Sequence, residues 1–222
     1  MSGNDLVNSF GDTLLNDDIK EVAIDVIDNS IDMDIDNPVF NEIPFVKTVV
    51  SFIKTGIAIK ERNFLKQFLL FWIKLRDGDI TDEEIAEHRE ELENNPKLLE
   101  KELYAIMSFL ESNRQNLKTE ILGHLYRSYL KHLISYDEFD EFVDVSERIF
   151  VNDVKLFLVI VSKGTIETTR KNEYICDRLV SVGLTSRSIS ALYPNGASYN
   201  IKVSPLGQRF YDYGLRFVGE RS

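Results

Sequence analysis

A single cysteine, Cys176, in 222 residues leaves no possibility of a disulfide framework within the chain. With only three histidines there is also no Cys/His run at zinc-ligand spacing. Such sparing use of cysteine fits a reducing compartment, so a cytoplasmic location is expected. The 11 glycines form no phosphate-binding loop, nucleophile elbow or dinucleotide fingerprint. No catalytic constellation, cofactor or resident metal is therefore anticipated. Long uncharged runs are missing as well. The most apolar stretch, Ile43 to Leu75, is interrupted by Lys47, Lys54, Lys60, Glu61, Arg62, Lys66 and Lys74, and its longest uncharged run, Gln67 to Ile73, has seven residues. A transmembrane helix needs about 20, so no span is expected. The opening MSGNDLVNSFGDTLLNDD is polar and acidic where a secretory signal carries a basic patch and an apolar stretch, and export is not expected.

Acid is what the chain has in excess, and it is unevenly placed. Residues 1–145 carry 15 Lys and Arg against 30 Asp and Glu, a net of −15, whereas residues 146–222 carry 11 against 7, a net of +4. The length allows two small domains, and the charge suggests the boundary. The first is expected to be an acidic helical bundle, the second a smaller module.

Within residues 1–145 apolar side chains recur at helical spacing. Leu6, Phe10, Leu14, Ile19, Val22 and Val26 mark a helix over about 4–28, and the Asp-alternating, proline-containing IDMDIDNPVFNEIP reads as a linker. Residues 44–75 are apolar nearly all round and read as the central helix, with a possible break at Gly56. Thr81 with Glu84 has capping-box spacing for a helix over 81–94, and Pro96 fits the first turn of one over 96–112. Leu117, Ile121, Leu125, Tyr129 and Leu133 share a stripe over 117–133. Ser135 with Glu138 opens a last helix over 135–150, a second capping-box pair.

Residues 146–222 are patterned differently. Asp153 to Val161 reads as a short helix, Gly164 to Lys171 as a connection, and Asn172 to Val182 as a second helix with Ile175, Leu179 and Val182 inward and Gly183 ending it. SRSISALYPNGASYNIKVS then alternates as two strands around Pro194-Asn195-Gly196. A three-residue loop pairs Tyr193 with Ala197, Ala191 with Tyr199 and Ile189 with Ile201, and it places Gly196 in the left-handed closing position of a type I turn. Ser204 caps a final helix with Pro205 at its first position.

The order helix, RLVSVGL, hairpin, then SPLG opening a helix resembles the back half of winged-helix domains. The resemblance covers about a third of the chain. It implies a small α+β winged-helix-like module with one β-hairpin, which together with the helical bundle read from the apolar period ahead of it makes a mainly α protein. The eight residues Gly164 to Lys171 leave little room for the supporting helix that a DNA-reading helix-turn-helix places ahead of its recognition helix.

The chemistry-bearing clusters read mostly as solvated or structural. Asp32, Asp34 and Asp36 imitate the start of a calcium loop, but Asn37 replaces its glycine and Ile43 its last carboxylate. Asp77, Gly78, Ile80 and Glu84 imitate the later half, with Ile73 and Leu75 where ligand oxygens belong. Glu84 with His88 and Glu120 with His124 read as i,i+4 surface contacts. Cys176 lies between Glu173 and Asp177, charges that oppose thiolate formation.

Function is read in three classes. The leading expectation is a non-enzymatic regulatory or interaction protein whose winged-helix-like module docks a protein partner or a second copy. Its candidate contacts are Arg187, Tyr193, Asn195 and Lys202 on the wing, with Tyr211 and Tyr213 on the last helix. The alternative is a DNA-binding regulator in which Arg170, Lys171, Arg178, Arg187 and Lys202 neutralise phosphates. A third is a membrane-surface effector resting on lipid through Lys47, Lys54, Lys66 and Trp72.

Overall fold

The computed structural model describes Ser9, Asp12, Thr13 and residues 59–76, 80–193 and 196–218. The expected linker, residues 44–58 of the expected central helix and most of the expected first helix lie outside the described residues. Among the described residues the chain is mainly helical with one small antiparallel sheet. It divides into two compact units, Met1–Phe139 and Asp140–Ser222, so the division falls six residues ahead of the expected boundary and inside one helix.

In the first unit α1 spans Ile59–Arg76, α2 Asp82–Asn94, α3 Pro96–Ser112 and α4 Asn116–Leu130. Both local start signals act as expected. The Thr81 hydroxyl accepts from the Glu84 N–H while Glu84 returns to the Thr81 N–H, and Pro96 occupies the first turn of α3 behind the Asn95 cap. The core is aromatic and aliphatic, with Leu65, Phe68, Phe71 and Trp72 of α1 buried alongside Ile121, Leu122, Leu125 and Tyr126 of α4. Gly123 lets α1 and α4 approach closely, because a Cβ there would stand 2.8 Å from the Lys74 Cβ and 3.1 Å from the Phe71 carbonyl. Every residue from Ile121 to Leu130 is buried, so α4 is at least as central as α1.

The stripe expected through Leu133 stops short. α4 ends at Leu130, His132 turns the chain at φ 53°, and Leu133 is exposed. The N–H of Leu133 reaches the Ser128 carbonyl and that of His132 the Tyr129 carbonyl, the paired bonds of a Schellman ending. Histidine here holds the left-handed position usually given to glycine.

The helix α5, Tyr136–Arg148, opens on the expected Ser135/Glu138 box and is followed in the second unit by α6, Val151–Lys163. Gly164, at φ 73°, ends α6. The segment beyond it departs from the sequence reading. Thr165–Glu167, expected as plain connection, is a strand, β1, pairing antiparallel with β3 so that Ile166 faces Ile201. Three residues are too few to show alternation. The pairing exists because β3 offers it an open edge.

The next helix, α7, spans Glu173–Ser181, buries Cys176 and Leu179, and ends at Gly183, φ 80°, in a second Schellman arrangement. Ile175 and Val182 are half-buried rather than fully inward. β2, Thr185–Tyr193, and β3, Gly196–Val203, form the expected ribbon, and the sheet order is β1-β3-β2.

The expected register is wrong. Tyr193 pairs with Gly196 across two residues, so Gly196 belongs to the strand. Ile189 faces Tyr199, and Arg187 faces Ile201. A bulge between Ile189 and Ala191 inserts Ser190 and shifts the lower ladder by one residue.

Last come α8, Pro205–Phe210, and a π turn, Tyr211–Leu215. Ser204 ties the unit shut: its hydroxyl accepts from the Gly207 N–H at 2.8 Å and donates to the Gly183 carbonyl at 2.5 Å, while its N–H donates to the Leu184 carbonyl. Phe142 meets Phe210 edge to face across the core at 5.7 Å.

Candidate functional site

The resemblance to winged-helix domains directs attention to α7 and the hairpin, and there two of the five candidate phosphate contacts are already paired. Arg178, on α7, reaches Asp153 at the start of α6 with two bonds, Nε to Oδ2 at 2.7 Å and Nη2 to Oδ1 at 2.5 Å. Asp153 is fully buried. The guanidinium also lies against the rings of Phe150 and Tyr174, 4.6 and 5.0 Å from their centroids. Its pKa is raised, first by the hydrogen bonds it donates to Asp153. Arg187, on β2, stacks over Tyr199 at 4.2 Å and pairs with Asp177 at 2.7 Å and Glu173 at 3.9 Å, both on α7. The carboxylates that α7 displays therefore face the hairpin's own arginine.

Arg170, Lys171 and Lys202 are exposed, the first two in the loop between β1 and α7, the third on β3. Tyr211 and Tyr213 are half-buried in the π turn, and Arg209 lies over the Tyr213 ring. Asn195 and the side chain of Tyr193 lie outside the described residues.

Sequence reasoning missed the apolar end of the hairpin. Ile189 is 63% exposed and Leu192 76%, although the expected register set Ile189 opposite Ile201, which is buried. Cross-strand partners share a face, and Ile189, opposite Tyr199, and Leu192, opposite Ala197, both fall on the face of buried Ile201. The Ser190 bulge is the reason, since without it residues 189 and 192 would point to opposite faces. No sequence signal marks that bulge.

The second missed feature is a buried polar cluster in the first unit. Glu102 of α3 is completely buried, and its Oε1 meets Nε2 of His88 at 2.9 Å and accepts from the Tyr126 hydroxyl. Nδ1 of His88 stands 3.6 Å from Glu91, and the Tyr129 ring lies edge-on to the imidazole at 5.1 Å. Burial, then the charge of Glu102 and its hydrogen bond, pushes the Tyr126 and Tyr129 phenols well up. His88, Glu102 and Tyr126 are buried and join three helices, with Glu91 half-exposed at the rim. The cluster's chemistry is that of a core fastener.

The pairs expected at i,i+4 do not form: Glu84 caps α2 and nears Lys131, while Glu120 meets Lys74 and His124 meets Arg127. Cys176 is buried, and its thiol pKa is raised, by burial first and by Asp177 next, against the pull of Arg187. Among the described residues no group of three His, Cys, Asp or Glu side chains is placed to hold a metal ion.

Of the membrane-surface candidates, Lys47 and Lys54 lie outside the described residues and Lys66 is exposed. Trp72 contradicts that reading: it is buried, with its indole N–H donating to the Thr13 carbonyl. An aromatic that fills the core cannot insert into lipid. Among the described residues no helix is long and apolar enough to cross a membrane. Comparison with protein-family models, curated proteins and solved structures finds no match to this chain.

Proposed function

We propose that this is a non-enzymatic regulatory protein whose second unit, a winged-helix-like module, docks a protein partner or a second copy of the chain. The observation that carries the reading is the internal pairing of Arg178 and Arg187. A phosphate backbone is bound by cations that can give up water and counterions to it. Here Arg178 would first have to leave buried Asp153, and Arg187 two carboxylates. Beside exposed Arg170, Lys171 and Lys202, the module also offers apolar side chains outward: Ile189 and Leu192 on the hairpin, with Tyr174 and Phe150 beside the Arg178 pair. Aromatic and aliphatic side chains next to arginine are the usual material of protein interfaces.

The second reading, duplex binding through Arg170, Lys171 and Lys202, is favoured only by the exposure of those three cations. A gel shift on random duplex across a salt series separates the two. The docking reading expects no salt-sensitive shift. A shift abolished by Arg187→Glu with Lys202→Glu would overturn it.

A further inference from the structure

The hairpin runs on past the helices that cover its inner face. At its root Ile201 is fully buried. One step out, Arg187 lies over Tyr199 and is neutralised by Asp177 and Glu173. Beyond them, on the same face, stand Ile189 and Leu192, mostly exposed. Apolar side chains scattered singly over a surface are ordinary. Two that a bulge has turned to one side of a projecting ribbon are not scattered.

The root of this shelf has a charged corner. The Thr168 N–H donates to the Tyr199 carbonyl at 2.8 Å, and the Tyr199 N–H donates to the Thr168 hydroxyl at 3.2 Å. The loop 168–172 is thereby fastened beside Tyr199, and it carries Arg170 and Lys171, both exposed. From Arg178 through Tyr211 there is no Asp or Glu at all. A ligand lying along the shelf meets hydrocarbon at the tip and, at the root, exposed Arg170 and Lys171 beside an Arg187 already matched by Glu173 and Asp177.

We infer that this face is a docking shelf for an amphipathic helix of a partner protein, one whose apolar stripe is flanked by carboxylates. A helix sets apolar side chains three and four residues apart on one side and can place acids along the border of that stripe. Its stripe would cover Ile189 and Leu192, and its carboxylates would meet Arg170 and Lys171. A duplex would gain from the two cations but would press phosphates against the apolar tip. This inference rests on the docking reading above and names the chemistry of the partner.

The test is fluorescence anisotropy of the full chain with two labelled synthetic helices that share one leucine stripe, flanked in one by Glu and in the other by Lys. A labelled random duplex is the third probe. The Glu-flanked helix should bind about tenfold more tightly than the Lys-flanked one, from two rim charges changed from attraction to repulsion. Ile189→Ser with Leu192→Ser should weaken it about tenfold while circular dichroism stays unchanged, because both side chains are already in water. Arg170→Gln with Lys171→Gln should erase the preference between the two helices.

No binding of the Glu-flanked helix, equal binding of both, or either double variant behaving as wild type overturns the inference. So does a duplex bound more tightly than either helix. The first three failures with no salt-sensitive gel shift leave docking elsewhere on the module standing, whereas a gel shift lost in the Arg187 and Lys202 variant removes both.

Discussion

Replacing Gly207 by alanine sets two effects of opposite sign against each other. Inside a helix alanine is favoured over glycine by about 1 kcal/mol. At this position, however, the new Cβ would stand 2.0 Å from the Leu184 carbonyl oxygen and 2.8 Å from its carbon. Carbon and oxygen ordinarily approach no closer than about 3.3 Å, so α8 would have to retreat by about 1.3 Å. The retreat strains the bond from the Ser204 N–H to the same Leu184 carbonyl and unseats the hydroxyl that caps α8.

Overpacking costs about 1–3 kcal/mol, and each lost hydrogen bond about 1 kcal/mol. The net destabilisation should be about 3 kcal/mol once the alanine preference is subtracted. For a unit of this size each kcal/mol lowers the midpoint by about 4–8 °C, so a fall of about 12–24 °C is expected in thermal unfolding followed by circular dichroism. Trp72, the only tryptophan, lies in the first unit, and its emission separates the two transitions. Ser204→Ala is the comparison, because it removes the cap without the clash and should cost about 1 kcal/mol. A Gly207→Ala midpoint at or above wild type, or a loss no larger than that of Ser204→Ala, refutes the reasoning.

Alanine at Gly123 should likewise force α1 away from α4 and destabilise the first unit by about 1–3 kcal/mol, read as a lower urea midpoint in Trp72 emission. His132→Gly should do the reverse, raising the first unit's stability by about 1 kcal/mol through relief of the left-handed histidine, and an unchanged midpoint would dismiss the strain. Asp153→Asn should lower the second unit's melting temperature and free Arg178, detectable as a new salt-sensitive duplex shift if pairing is what keeps that arginine occupied. The raised Tyr126 and Tyr129 phenols keep their protons in the folded state after the unfolded chain has begun to lose them near pH 10. The first unit should therefore be insensitive to these groups below pH 10 and lose stability as pH rises above it. Absorbance at alkaline pH should show both tyrosines ionising together with the loss of Trp72 emission, and gradual ionisation of all nine tyrosines ahead of it would contradict the burial.

The features legible in the sequence are local in origin. The boxes at Thr81/Glu84 and Ser135/Glu138, proline in the first turns of α3 and α8, the Ser204 cap and Gly183 after α7 each act through atoms within five residues. Their geometry is therefore fixed before the chain folds further. The mainly α class with a small antiparallel ribbon near the end follows from them and from the switch in apolar period. Tertiary structure decided everything that joins distant residues. β1 has only three residues and is a strand because β3 lies open beside it. Arg178 meets Asp153 across 25 positions, and Glu102 meets His88 across 14 and Tyr126 across 24. The hairpin's register turned on its two-residue turn and on the inserted Ser190, since a ribbon with a polar outer face and a serine-rich strand has no pattern that forbids the slip. That one residue set Ile189 and Leu192 on a common face, which no reading of period could have found.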